Sequence, residues 1–418
     1  MKFSIVTFGC RVNQADSLHL EEDFRQRGAE PSSAEAADVV VVNTCSVTAS
    51  ADQGARQTIR RIARVNPSAR IVATGCYATR CTSEVEALAN VTVVRNDDKL
   101  RLANLLGLST ATRFGDGDGA CGATIEPGVA GRTAFTLRVQ TGCDQTCSYC
   151  IIPSTRGHGR SVPLSKVIEE VRRVADAGFR EIALTGVHLG SYGRDLDHPS
   201  SLFELLKAVA QLDVDVTFRI SSLEPMDCTT GIIDLVAANA RRFAPHFHLP
   251  LQHASDPMLA AMRRPYTRAY YDRLVSRIVK SIPHASIGTD MIAGFPGETE
   301  ADFDASADYL KDAPLSHVHV FPYSDRPGTD ATALQGKVDG VTIRRRAAAL
   351  RDIGRSLGRR FRAAQVGSVR DALTLDDGTI AVTDNYLKVR IGAGRPRNVR
   401  VRVRIESADE QQVLGTVC

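Results

Sequence analysis

Three short apolar runs near the start of the chain, Phe3 to Phe8, Val39 to Val42 and Ile71 to Thr74, each lead directly into a turn that carries a cysteine. The turns read Gly9-Cys10, Asn43-Thr44-Cys45 and Gly75-Cys76, and helix-like stretches, Ser17 to Arg27 and Gln53 to Arg64, separate them. Strand-like runs alternating with helix-length segments predict βαβ units and hence a parallel sheet. All strands of such a sheet point the same way, so the three cysteine turns fall at its carboxyl edge, where open α/β sheets hold their ligands. Structural burial explains any one of these thiols, because free cysteine is among the most buried residue types. It explains poorly three in one topological position.

A second trio, Cys143-x3-Cys147-x2-Cys150, follows the apolar run Thr136 to Val139 through Gln140, Thr141 and Gly142. Thiolates at this spacing on one loop favour zinc or iron–sulfur ligation over a disulfide. A structural zinc site takes four ligands, and this loop offers three. A four-iron cluster held by three thiolates keeps one iron open to a small molecule.

The C-x3-C-x2-C spacing, with Tyr149 before the last cysteine, resembles the radical S-adenosylmethionine (radical SAM) superfamily. Adding Gly9-Cys10-Arg11-Val12-Asn13-Gln14, Asn43-Thr44-Cys45-Ser46-Val47-Thr48 and Cys150-Ile151-Ile152-Pro153, the whole chain resembles the radical SAM methylthiotransferase family. The resemblance implies an α/β protein in three parts. Residues 1–113 form an open parallel-sheet domain with an auxiliary [4Fe-4S] cluster on Cys10, Cys45 and Cys76, followed by a Gly-, Asp- and Ala-rich linker at 114–131 that carries Cys121. Residues 132–355 form a partial (β/α)6 barrel whose cluster on Cys143, Cys147 and Cys150 is catalytic, and residues 356–418 a small antiparallel β-barrel of the TRAM type. Cys81, Cys228 and Cys418 have no spacing partner and read as ordinary thiols.

Barrel chemistry belongs in the loops after the strands. There the resemblance places S-adenosylmethionine contacts at Tyr149, Thr185, Gly186, Ser222, Glu224 and Asp290. A glycine such as Gly186 allows close backbone approach, and a carboxylate such as Glu224 suits a cofactor carrying positive charge. Gly294 and Gly297 lie in a string resembling the family's adenine-side loop, with a purely structural role as the even alternative. His246, His248 and His253 invite a metal reading, yet no carboxylate or cysteine at ligand spacing completes a set, so a polar barrel lining is expected.

The net charge of +4 conceals an asymmetry: from Arg344 onward there are 16 Lys and Arg against 8 Asp and Glu, a net of +8. Such a patch is the footprint of a domain that holds a polyanion by its phosphates. Phe361 and Tyr386 are the main aromatics there, too few for base stacking to dominate. Arg56, Arg60 and Arg64 form an i, i+4 stripe expected to be a solvated helix face.

With ten scattered cysteines and no apolar run of about 20 residues, a soluble, cytoplasmic protein is expected. The family resemblance implies S-adenosylmethionine and two [4Fe-4S] clusters as cofactors. Its implied partners are the anticodon stem-loop of tRNA, a sulfur source, and an electron donor such as flavodoxin or ferredoxin. Cys10-Arg11-Val12-Asn13-Gln14 and Asp384 to Val389 look most like the branch that methylthiolates C2 of N6-threonylcarbamoyladenosine at position 37. Alternatives are isopentenyladenosine in tRNA, a ribosomal-protein aspartate, or a non-catalytic iron–sulfur RNA-binding protein.

Overall fold

The computed structural model describes residues 1–88, 90–108, 133–375, 377–392 and 394–418. The linker expected at 114–131, with Cys121, lies outside the described residues. The chain divides into two compact units. The first takes in residues 1–125, Thr141–Gln145 and Ile151–His158; the second takes in residues 126–140, Thr146–Cys150 and Gly159–Cys418.

In the first unit, β1 (Lys2–Thr7), β2 (Glu30–Pro31), β3 (Val39–Thr44), β4 (Arg70–Gly75) and β5 (Val91–Val93) form one parallel sheet in the order β2-β1-β3-β4-β5. The run Val39 to Val42 is apolar throughout because both faces of its strand are covered, as parallel sheets require. Val40 and Val42 pack with Ile59 and Ile62 of α2 (Ala49–Val65). Val39 and Val41 pack on the other side with Leu20 and Phe24 of α1 (Arg11–Gln26). Each valine so enclosed contributes about 1.5 kcal/mol or more.

The second unit begins with β6 (Phe135–Arg138), followed by the two-residue strands β7 (Gln140–Thr141, shared with the first unit) and β8 (Arg160–Ser161). β6 and five later strands run parallel. β6, β9 (Glu181–Thr185) and β10 (Thr217–Ile220) make one three-stranded sheet; β11 (His246–His248), β12 (Ser286–Ala293) and β13 (His317–Pro322) make another. A parallel bridge from Phe218 to Phe243 joins them, so the expected six-stranded partial barrel is present with a seam between β10 and β11.

The helix Gly340–Gln365 runs unbroken across residue 355, where the sequence suggests a domain boundary. Beyond it a closed barrel forms in the order β14 (Val369–Leu375), β15 (Ile380–Thr383), β16 (Lys388–Arg390), β18 (Val413–Val417), β17 (Arg400–Ala408). Its pairings are antiparallel except β16 with β18, which is parallel. Ala381, Val389, Val403, Ile405 and Val413 fill it, while the alternate positions Lys388, Arg390, Arg402 and Arg404 face out. Asn385 Nδ2 donates to the His284 carbonyl at 3.0 Å and Asn398 Nδ2 to that of Gly178 at 2.7 Å, tying this barrel to the larger one. No helix among the described residues is long and apolar enough to cross a membrane.

Candidate cluster and cofactor sites

The sheet register brings the dispersed trio to one edge. Thr7 pairs with Asn43, Asn43 with Thr74, and Thr44 with Gly75, so Cys10, Cys45 and Cys76 all emerge just beyond neighbouring strand ends. Two glycines permit the crowding. Gly9 has φ +90°, and a Cβ there would lie 2.3 Å from Cys45 Sγ; Gly75 has φ +95°, and its Cβ would lie 2.1 Å from the Thr44 carbonyl oxygen. Both positions therefore require the residue that tolerates left-handed backbone and close approach. Burial pushes the Cys45 thiol up to about 11, and the neighbouring charges of Cys10 and Cys76 push the same way. Such a thiol ionises only when a cation or metal compensates it.

Compensation is built in beneath the trio. Arg156 and Lys99, both almost fully buried, converge on buried Asp16: Arg156 Nη2 lies 3.1 Å and Lys99 Nζ 2.9 Å from Asp16 Oδ2. Arg156 also donates to Asn13 Oδ1 at 2.5 Å, and Lys99 to Asn43 Oδ1 at 3.0 Å. Asn13 Nδ2 in turn reaches the Phe8 and Thr44 carbonyls at 2.9 and 2.8 Å, the backbone just before Cys10 and Cys45. Burial opposes the charge on Arg156, but Asp16, Cys76 and Cys10 more than offset it and its pKa is raised. Burial lowers that of Lys99, which Asp16 opposes. Two cations and one carboxylate leave a net +1, opposite in sign to the thiolates. Asn96 Nδ2 lies 3.8 Å from Cys76 Sγ and donates to the Thr155 carbonyl at 2.8 Å.

Of these polar residues the sequence motifs contain Asn13 and Asn43, while Asp16, Asn96, Lys99 and Arg156 belong to none of them. The available signal is Asn13 and Asp16 on the first turns of a helix that starts at a cysteine, but the cations that engage them, Lys99 and Arg156, lie 83 to 143 residues away.

The close trio's loop is shared between the units, with Cys143 in the first and Cys147 and Cys150 in the second. Gly142 has φ +73°, and a Cβ there would lie 1.8 Å from the His158 carbonyl oxygen, so the chain can turn into Cys143 only with glycine. In the second unit, Arg264 Nη1 donates to Cys147 Sγ at 3.0 Å, and Nη2 forms an ion pair with Glu224. Tyr266 fixes the same guanidinium, its hydroxyl 3.0 Å from Nε. Tyr149 packs with Met258, Met262 and Phe295, and burial holds its phenol well above the ordinary range.

The remaining predicted cofactor contacts sit where barrel strands end, with one exception. Thr185 is the last residue of β9, and Gly186 opens the turn after it. Gln140 Oε1 accepts from the Val187 and His188 amides at 2.9 Å each, and a Cβ on Gly186 would meet that same oxygen at 2.9 Å. Ser222 is exposed just beyond β10, and Glu224 lies two residues further on. Asp290 lies within β12 instead, its carboxylate 3.1 Å from His248 Nε2.

The loop Gly294 to Thr299 is held by Glu298, which is buried and pairs with Arg346 at 3.1 Å and His253 at 3.2 Å. His253 is thus part of a structural network and stands apart from His246 and His248. What joins His248 is a pair the sequence did not suggest, His317 and His319 from β13. Among the basic residues, Arg345, Arg346 and Arg359 are engaged by Glu300, Glu298 and Glu410. Arg56 is paired with Glu84 and Tyr77, while Arg60 and Arg64 remain exposed. Tyr386 turns its ring onto Arg219, 4.1 Å from the centroid, and onto His246.

Residues 2–95 match the family model described as uncharacterized protein family UPF0004, and residues 137–310 match the radical SAM superfamily. A threonylcarbamoyladenosine tRNA methylthiotransferase of Aquifex aeolicus is 36% identical, covering 97% of this chain and 100% of that one. The Bacillus subtilis protein of the same name is 33% identical over 92% and 88%. The chain belongs to the radical SAM methylthiotransferase family. A tRNA-2-methylthio-N(6)-dimethylallyladenosine synthase of Frankia alni is also 34% identical, over 83% of this chain and 72% of its own. Among solved structures, the radical S-adenosylmethionine methyltransferase TsrM from Kitasatospora setae shares the fold at 16% identity, with a TM-score of 0.55 over 79% of this chain and 73% of that one. The cofactors of this methylthiotransferase are S-adenosylmethionine and two [4Fe-4S] clusters. The donor set fits: two sets of three thiols, one above a buried excess of positive charge, the other with an arginine donating to sulfur.

Proposed function

We propose that the enzyme attaches a methylthio group to C2 of N6-threonylcarbamoyladenosine at position 37 of tRNA. The observation that carries this reading is full-length similarity, 31–36% identity over 92–99% of the chain, to five proteins bearing that activity in their names. In this reading Cys143, Cys147 and Cys150 hold the catalytic cluster, and Cys10, Cys45 and Cys76 the auxiliary one. When bound, the cofactors supply a 5′-deoxyadenosyl radical and the sulfur and methyl groups that the protein itself lacks.

The chain's own residues position and insulate. Arg264 donates to Cys147 and is anchored by Glu224 and Tyr266, which fixes one thiolate and lowers its charge density. Thr185, Gly186, Ser222 and Glu224, at the ends of β9 and β10, are the side on which S-adenosylmethionine is held, with Gln140 keeping the Gly186 turn open to it. Tyr149, with its apolar neighbours, excludes water beside Cys150. Arg156 and Lys99 stabilise the anionic auxiliary site. The outward Lys388, Arg390, Arg402 and Arg404 take tRNA phosphates, and a low-potential electron carrier and a sulfur source complete the partners.

Mass spectrometry of tRNA nucleosides tests the substrate. Deleting the gene should abolish 2-methylthio-N6-threonylcarbamoyladenosine, and the wild-type chain but not Cys147→Ala should restore it. The similarity to the dimethylallyladenosine synthase favours one second reading. Loss of the 2-methylthio group from isopentenyladenosine in the same digest, with the threonylcarbamoyl product intact, would select it.

A further inference from the structure

We propose that His248, His317 and His319, on the inner face of the β11-β12-β13 sheet, bind a single divalent transition-metal ion of the zinc class, at a site separate from both cysteine trios.

The register makes the site. His248, Gly288 and His317 lie in one row across the three strands, and Asp290 pairs with His319 in the next. Side chains alternate along a strand, so all these residues share one face. Two imidazoles flanking a central strand normally stay apart because its side chain stands between them. Here the central residue is glycine, and a Cβ on Gly288 would lie 2.0 Å from His317 Nε2 and 2.2 Å from its Cε1. His317 occupies the vacated space and lies across β12. The ring centroids are 6.0 Å apart for His248 and His317, 5.6 Å for His248 and His319, and 5.3 Å for His317 and His319.

Hydrogen bonds already direct two of the rings. The Ser316 hydroxyl, 3.0 Å from the Ile287 carbonyl oxygen, holds His317 Nδ1 at 2.9 Å, so Nε2 is the ring nitrogen on the side of Gly288. Asp290 Oδ1 stands 3.1 Å from His248 Nε2, the carboxylate–imidazole pairing that orients metal-bound histidines and leaves Nδ1 free. The trio's ligand atoms all lie within 4.8 Å of one another. Around a tetrahedral ion with metal–nitrogen bonds near 2.0–2.1 Å they would stand about 3.3 Å apart, a closure that small side-chain rotations supply. Three imidazoles beside a carboxylate, with no sulfur, suit zinc, copper or nickel and not an iron–sulfur cluster. His319 is the exposed member, giving the ion an entry path and leaving a coordination position to solvent. A mere polar lining explains polar residues here. It explains neither the missing Cβ of Gly288 nor the convergence of three imidazoles, two of them held by Ser316 and Asp290, within 4.8 Å.

The test uses the full chain with both clusters reconstituted anaerobically, so that no cysteine of either trio is free to take zinc. After incubation with one equivalent of zinc and gel filtration, metals are counted and the zinc environment is read by X-ray absorption. The wild type should retain about one zinc per chain with only nitrogen and oxygen neighbours. His319→Ala, which removes an exposed ring, and Gly288→Ala, which displaces His317, should each lower retained zinc by about tenfold or more at unchanged iron content. Failure of the wild type to retain zinc, sulfur among the zinc neighbours, or equal retention by wild type and His319→Ala would overturn the proposal.

Discussion

The first unit and the terminal barrel put basic residues to opposite uses. In the first, Lys99 and Arg156 are 2% and 3% exposed and locked to one carboxylate. In the barrel, Lys388, Arg390, Arg402 and Arg404 alternate with core residues and project into solvent. A buried cation is committed to one geometry, because leaving it or its partner alone in a low dielectric is costly. An exposed one is available to any phosphate, weakly and in a salt-dependent way. The same residue types should therefore give effects of very different size and kind.

Arg156→Met tests the buried side and should have the largest effect. It removes one of the two buried cations on Asp16 and deprives Asn13 Oδ1 of the Arg156 donor, at a cost of about 3–5 kcal/mol. A denaturant midpoint unchanged within error would break the contrast. Gly75→Ala comes next. Its Cβ meets the Thr44 carbonyl and its φ of +95° disfavours alanine, so a loss of about 2–3 kcal/mol is expected, with iron reduced at the Cys10, Cys45 and Cys76 site.

The exposed side should respond differently. Lys388→Glu combined with Arg404→Glu should leave stability within about 0.5 kcal/mol. The pair should lower the slope of log affinity for tRNA against log salt by about 2, measured by filter binding at several salt concentrations. An unchanged slope would mean that this face does not carry the phosphates. The smallest effect belongs to Arg60→Glu with Arg64→Glu on the exposed face of α2, expected to shift stability by less than about 0.5 kcal/mol. A clear loss of tRNA binding in that variant would move part of the RNA contact onto the first unit.

The histidines show where sequence reading stops. His246, His248 and His253 look like one cluster because they are close in sequence. The structure ties His253 to buried Glu298 at 3.2 Å and brings His317 and His319 to His248 from 69 and 71 residues away. The carboxylate found wanting at ligand spacing is Asp290, one strand over. Tyr386, one of the few aromatics of the basic region, is exposed and has its ring against Arg219 and His246, contacts that spacing does not show.

Local rules were enough for the three cysteine turns, the strand and helix alternation, the short-spaced trio, and the concentration of positive charge after Arg344. Each is a pattern within a few residues, governed by backbone preference and hydrophobic period. The Arg156–Asp16–Lys99 network, the arginine on Cys147 and the row His248, Gly288, His317 required the tertiary structure. They depend on sheet register and on glycines whose missing Cβ atoms matter only once another element arrives in that space.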